Sequence, residues 1–318
     1  MAVPSPDMLG LSAILGLGLG AYVTATVGRT MHVLTHPPRR TYASAVARAR
    51  PGDPSEIPPP AGPLGFERWT FRSRGRDLPA WDVRGARPRG PVVVMSHGWG
   101  DSRIGGLSRV GHVGRLASRV VMWDMPGHGE APGVCSLGTG EVDDLLALIA
   151  HVREPNVEMI LHGWSLGAGV SIAAAARGVG ERTARIAGVI AESPYRLAPT
   201  PARNVLRERR LPHGWNVTAA FWLLGLDLGV GPWWKGRGGF DRANLAARLT
   251  CPLLVLHGDQ DAVCPIEDGE SIARRALDGT IARIDGGGHV GLWSDPSHGP
   301  RCAASVGAFI ERVSGRAT

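Results

Sequence analysis

The sequence predicts an α/β fold, an open and mostly parallel sheet with helices on both faces. Three observations carry that expectation. Five short apolar runs, at 92–95, 120–123, 159–161, 186–190 and 253–256, are continuous rather than alternating, as strands covered on both faces must be. Helical segments separate them; in the clearest, 141–154, Val142, Leu145, Leu146, Ile149 and Val152 recur at helical spacing. Alternation of this kind builds a parallel sheet, because parallel neighbours need a long crossover. The third observation is Gly163-Trp164-Ser165-Leu166-Gly167, which joins the 159–161 run to an Ala-rich helical stretch at 170–177. A serine between two glycines at a strand–helix junction is the setting of a nucleophile elbow. Gly163 and Gly167 leave room for a turn that a Cβ would block. The serine hydroxyl then stands at a helix N-terminus, where free N–H groups favour a developing negative charge.

At the start of the chain, residues 8–28 carry no charged side chain. As a helix they would span about 30 Å, the thickness of a bilayer core. Gly16, Gly18 and Gly20 weaken such a helix in water but are tolerated in a membrane. Arg29, Arg39, Arg40, Arg48 and Arg50 follow the stretch and only Asp7 precedes it, which places its C-terminal side in the cytoplasm. The expectation is a membrane anchor with a cytoplasmic catalytic domain. A signal peptide cleaved after Val23-Thr24-Ala25, with secretion, is the rival, and it lacks a basic leading region. Residues 1–50 are read as this apolar helix and its basic flank, 51–64 as a semi-rigid proline-rich linker, and 65–318 as the catalytic domain.

Within that domain, 66–71 and 78–83 flank Arg74-Gly75-Arg76-Asp77 and predict an antiparallel hairpin. From 196 to 249 the strand–helix alternation stops, and Trp215, Trp222, Trp233 and Trp234 fall in this insert. A long insert at a strand end predicts a helical cap over the site.

Composition narrows the function classes. The 318 residues are 43% hydrophobic and 20% charged, ordinary for a globular chain with a buried core. The net charge of +7 comes almost wholly from arginines scattered along the chain. Without a continuous basic stripe, zinc finger or RNP-type pattern, nucleic acid is not the expected partner. A preference for anionic surfaces is what remains. Cys135, Cys251, Cys264 and Cys302 form no C-x-x-C pair, so free thiols are expected rather than a zinc or redox site.

A nucleophilic serine needs a base, an acid to orient it, and donors for the oxyanion. His289 is the best-placed base, since it follows the short run 281–284 through Gly286-Gly287-Gly288. Three carboxylates stand at strand ends as candidate acids: Asp259, Asp261 and Glu192. For the oxyanion, Ser96-His97-Gly98-Trp99-Gly100-Asp101 follows the 92–95 run, and the N–H groups of Trp99 and Leu166 are the expected donors. His97 reads as a structural loop histidine, and Asp124 as a turn residue bonding its own backbone.

These features, in order, are His-Gly-x-Gly at 97–100, Asp-x-x-Gly-x-Gly at 124–129, Gly-x-Ser-x-Gly at 163–167, Gly-x-x-Asp at 258–261 and Gly-His at 288–289. Over about residues 66 to 315 the chain resembles the α/β-hydrolases, most of all bacterial ones with a serine-aminopeptidase-like core. That resemblance implies a Ser–Asp–His order, with Asp261 as the acid beside Ser165 and His289. The His-Gly-Gly-Gly loop of one lipase and esterase group is absent, which implies the simpler two-donor oxyanion hole. The implied activity is cleavage of a carboxylic ester or related acyl bond of a small molecule through an acyl-enzyme, without metal or organic cofactor. Acyl transfer, perhydrolysis, peptide cleavage and a non-catalytic membrane-associated binding role are the alternatives on the same fold. Trp164, Trp293 and Trp222 are expected to line an apolar acyl pocket.

Overall fold

The structure is a computed structural model that describes residues 6–57, 65–178, 185–225 and 241–315, with side chains from residue 14 onward. Its strands are β1 (Phe66–Ser73), β2 (Arg76–Arg84), β3 (Val92–Ser96), β4 (Arg119–Trp123), β5 (Met159–Trp164), β6 (Ile186–Glu192), β7 (Leu253–Gly258) and β8 (Gly279–Ile284). Its helices are α1 (Pro6–Thr35), α2 (Tyr42–Val46), α3 (Leu107–Val113), α4 (Gly140–Val152), α5 (Leu166–Ala176), α6 (Pro199–Glu208), α7 (Trp215–Leu223), α8 (Arg242–Ala246), α9 (Ile266–Arg275) and α10 (Gly299–Ser314).

The strands form one sheet in the order β1-β2-β4-β3-β5-β6-β7-β8. β2 pairs antiparallel with β1 and β4, and every other pair is parallel. The apolar runs are continuous for the expected reason. On β3, Val92 and Val94 join the core under α4 and α5, whereas Val93 and Met95 join the opposite core with α3 and α10. Met159 and Leu161 of β5 face the first layer and Ile160 the second. Each fully buried side chain of this kind contributes roughly 1.5–3 kcal/mol. The expected hairpin forms, and its turn is Arg74-Gly75, both at positive φ (46° and 78°), as a two-residue turn between twisted strands requires. Arg74 is held there by Asp144, at 2.7 Å.

The sheet order sets the site. β4 lies on one side of β3 and β5 on the other, so the loops leaving β3 and β5 part at a topological switch point, where such sheets open a crevice. Ser165 sits on that crevice with φ 52° and ψ −114°. The turn is possible because the flanking backbones nearly touch. A Cβ on Gly163 would lie 2.1 Å from the Gly167 carbonyl oxygen, and one on Gly167 would lie 2.0 Å from that of Ser96.

The N-terminal region departs from expectation. α1 does not end near Gly28 but continues to Thr35, and its second half packs into the body of the protein. Val27, Thr30 and Leu34 are buried, α7 lies alongside, and Asn216 donates a 2.7 Å hydrogen bond to the Thr30 hydroxyl. Among the described residues no helix is long and apolar enough to cross a membrane. The anchor expected at 8–28 therefore lacks support, and the side chains of 8–13 lie outside the described residues. Nor do residues 36–57 behave as a flank and linker. Pro37, Ala45, Gly52, Asp53 and Pro54 are buried, and Asp53 is ion-paired with Arg68 of β1. The rest of the linker, 58–64, is outside the described residues.

The insert at 196–249 supplies α6, α7 and α8, while 226–240, with Trp233 and Trp234, fall outside the described residues. α7 packs on α1 and α6, and α8 packs on α5 and α9. All four cysteines are unpaired.

The close approach at the elbow gives a direct test. Gly167→Ala forces a methyl group against the Ser96 carbonyl and is expected to destabilise the fold by about 1–3 kcal/mol. Gly214→Ala, where a Cβ would meet nothing within 4 Å, is expected to be near neutral. Urea denaturation of the two variants measures the difference.

Candidate active site

Three strand ends converge on Ser165. β5 delivers Ser165 itself, the loop after β7 delivers Asp261, and the glycine loop after β8 delivers His289. The distances are 3.1 Å from Ser165 Oγ to His289 Nε2 and 2.8 Å from His289 Nδ1 to Asp261 Oδ2. With Asp261 ionised, His289 Nδ1–H donates to it and Nε2 is left to accept the Ser165 hydroxyl proton. Such a relay is competent to take a proton from the serine and return it to a leaving group.

Asp261 is fixed before His289 reaches it. Its Oδ1 accepts the backbone N–H groups of Val263 and Cys264 at 2.9 and 2.7 Å. Burial by itself would raise its carboxyl. The hydrogen bonds from His257 and His289 and the backbone outweigh that and hold it well below the usual carboxylate range. His257 stands 3.4 Å from Asp261 Oδ2 and donates to the Cys264 carbonyl at 2.8 Å. The other two candidate acids are committed elsewhere. Asp259 accepts the Gly286 N–H at 2.7 Å and so shapes the loop that carries His289.

Glu192 is the centre of a separate buried cluster. Its carboxylate meets Arg109 in a two-pronged pair (2.5–3.1 Å), His162 Nε2 at 2.5 Å and the Trp293 indole N–H at 2.7 Å. Burial opposes its charge, but Arg109 and His162 bring its pKa down to about 2. The Arg109 guanidinium also lies 4.0 Å over the Trp164 ring and 5.8 Å from that of Trp293, a cation–π contact on both.

The oxyanion loop is tied down from outside. The Trp99 indole N–H donates to the Leu34 carbonyl at 2.8 Å, while its backbone N–H has no acceptor among the described residues. Leu166 is the first residue of α5, and its N–H is one of the groups a helix start leaves unpaired. Asp101 accepts from Arg40 at 2.8 Å and from the Trp164 indole at 3.0 Å. His97 is structural, as expected: it is buried, sits 2.8 Å from the Gly98 carbonyl, and accepts the Met125 N–H at 2.9 Å. Asp124 accepts the Glu130 N–H at 2.9 Å in its glycine turn, and it also binds Arg103.

These groups open onto a cleft of about 790 Å³. Trp99, Trp164 and Trp293 line it, the last two as expected. Trp222 does not: it lies on α7, 58% exposed, and no described residue of the insert reaches the cleft. Of the insert's described helices, α7 packs on α1 and α6 and α8 on α5 and α9, while residues 38–57 line one wall of the cleft. Arg109, Asp101, His257 and this wall were not anticipated. Only two carried a signal: Asp101 directly follows the oxyanion loop, and His257 is a polar residue ending a buried strand.

Asp261, Cys264 and His289 also offer atoms within 4.8 Å of one another, the set a metal ion would use. Both Asp261 oxygens are already engaged, and burial together with the Asp261 charge pushes the Cys264 thiol well up, away from the thiolate that binds metal. The fit is poor.

The Glu192 cluster predicts acid sensitivity. A carboxyl near 2 in the fold and about 4.5 unfolded stabilises the protein fully above pH 4.5, by on the order of 3 kcal/mol, and that contribution is lost as pH falls towards 2. Melting temperature is expected to drop across this window. Glu192→Gln leaves Arg109 without its counter-charge, so its melting curve is expected to be lower at neutral pH and flatter below pH 4.5.

Comparisons with known proteins place the fold. A pimeloyl-[acyl-carrier protein] methyl ester esterase of Chromobacterium violaceum is 29% identical over 243 residues, 63% of this chain and 88% of that protein. The biotin biosynthesis bifunctional protein BioHC of Cellvibrio japonicus is 28% identical over 65% of this chain and 45% of its own length. Among solved structures, the Pyrococcus furiosus esterase Pf2001 superposes with a TM-score of 0.63 at 20% identity, covering 89% of this chain and 99% of that one. A thermophilic esterase from Thermogutta terrifontis gives 0.55 at 23% identity, covering 79% of this chain and all of that one. The profile of the alpha/beta hydrolase family matches residues 92–299, and the chain belongs to that family.

Proposed function

We propose that this protein is a serine esterase, cleaving a carboxylic ester of a small molecule through an acyl-enzyme. The observation that carries the reading is the Ser165–His289–Asp261 relay, at 3.1 and 2.8 Å, on a strained serine at a helix start. Ser165 Oγ attacks the ester carbonyl while His289 Nε2 takes its proton. The carbonyl oxygen becomes an oxyanion against the N–H groups of Trp99 and Leu166. Collapse of the tetrahedral intermediate breaks the C–O bond, and His289 returns the proton to the departing alcohol. Water, deprotonated by the same imidazole, then releases the acid and restores Ser165. Asp261 holds the imidazole in the required tautomer and stabilises its charged form. Ester cleavage is favoured over the other acyl chemistries by the names of the relatives, one of which is a methyl ester esterase.

A fluorophosphonate is expected to label the protein at Ser165, and Ser165→Ala to abolish both labelling and p-nitrophenyl ester hydrolysis, a loss on the order of 10⁴-fold or more. Asp261→Asn is expected to lower kcat by about 10³–10⁴-fold while the fold is retained. Cleavage of peptides with no turnover of esters would defeat the assignment, as would ester turnover that survives in Ser165→Ala.

A further inference from the structure

The cleft is built asymmetrically in charge. Five arginines line it, Arg39, Arg40, Arg48, Arg50 and Arg109, against two carboxylates, Asp101 and Glu192. Each carboxylate already has its own arginine, Arg40 for Asp101 and Arg109 for Glu192. Arg39, Arg48 and Arg50 have no carboxylate partner among the described residues. Arg39 uses one nitrogen on the Gly129 and Ala131 carbonyls, Arg48 meets only the Ser44 carbonyl, and all three are exposed.

An unpaired arginine on an open surface is ordinary, but three on one wall of a concavity focus their field into it. The wall is also tied to its surroundings. Pro38 lies against Gly100, where a Cβ would come within 3.3 Å of its ring, and the Tyr42 hydroxyl donates to Glu56 at 2.6 Å. It lies outside the region matched by the family, 92–299. The remaining lining is largely aromatic or aliphatic, including Trp164, Trp293, Leu292 and Ile57, a surface suited to a methylene chain.

We propose that the substrate is an ester carrying a second, anionic group, a carboxylate or a phosphate remote from the scissile bond, and that Arg39, Arg48 and Arg50 receive it. Guanidinium forks match both groups geometrically. The proposal rests on the esterase reading above and deepens it.

The test uses the full chain and three p-nitrophenyl esters of equal length: octanoate, the suberate monoester with its terminal carboxylate, and 8-phosphonooxyoctanoate. The wild type is expected to prefer at least one anionic ester over octanoate by about tenfold in kcat/KM, mainly through KM, and to lose much of that preference in about 0.5 M salt. The larger preference identifies carboxylate or phosphate as the group. In the double variant Arg48→Gln/Arg50→Gln the preference is expected to fall towards parity. Arg274→Gln, an exposed arginine on α9 away from the cleft, is expected to keep it. A wild type that favours octanoate, or a preference unchanged in the double variant, overturns the proposal and leaves the esterase reading standing. Failure to turn over any of the three esters overturns both.

Discussion

The structure depends on one close contact, the backbone of the first turn of α5 against the end of β3. Gly167 lies so near the Ser96 and His97 carbonyls that no side chain fits between them. That approach brings the Leu166 N–H and the loop carrying Trp99 to the same small volume, on either side of a point above Ser165. The positive φ of Ser165 is a consequence: a strand and a helix joined by one residue leave that residue no ordinary conformation. The strain is held in place by the Ser165 N–H bond to the Glu192 carbonyl at 2.8 Å, which locks the elbow to β6.

A second constraint reaches the elbow from outside the sheet. Asp101 accepts from Arg40 on one side and from the Trp164 indole on the other, and Trp164 is the residue before Ser165. The Leu34 carbonyl takes the Trp99 indole N–H, so the oxyanion loop is bonded to the end of α1. These contacts make residues 34–57 part of the site's support rather than a leader to it. They also set the surroundings of α1. Its second half has a protein neighbour to bury against.

Much of this was legible in the sequence, for identifiable reasons. Strands covered on both faces must read as continuous apolar runs, so Val92 to Met95 announced β3 before any contact was known. The elbow, the glycine loop before His289 and the hairpin turn at Arg74-Gly75 are local, and local geometry leaves a local mark. The choice among Asp259, Asp261 and Glu192 was not local. It came from family resemblance, and the fold accounts for it: Asp259 is bound to Gly286, and Glu192 is taken by Arg109. Two expectations went beyond what a sequence carries, for a common reason. Hydropathy states that a surface is buried but not against what, so α1 suggested lipid where part of it meets α7. The length of the insert likewise says nothing of the side to which it folds, and α7 packs on α1, away from the cleft.

The two halves of the cleft therefore have different origins in the chain. The relay residues, Trp99, Leu166 and the Glu192 cluster fall within 92–299, where the family is matched. The opposite wall comes from 38–57, outside that match. A wall needed only for packing would be expected to neutralise its charges or to turn them to bulk water, since like charges facing one cavity repel. This one keeps Asp101 and Glu192 satisfied and leaves three guanidinium groups over. The relay thus lies within the matched core, and the unpaired arginines lie on the segment packed across it.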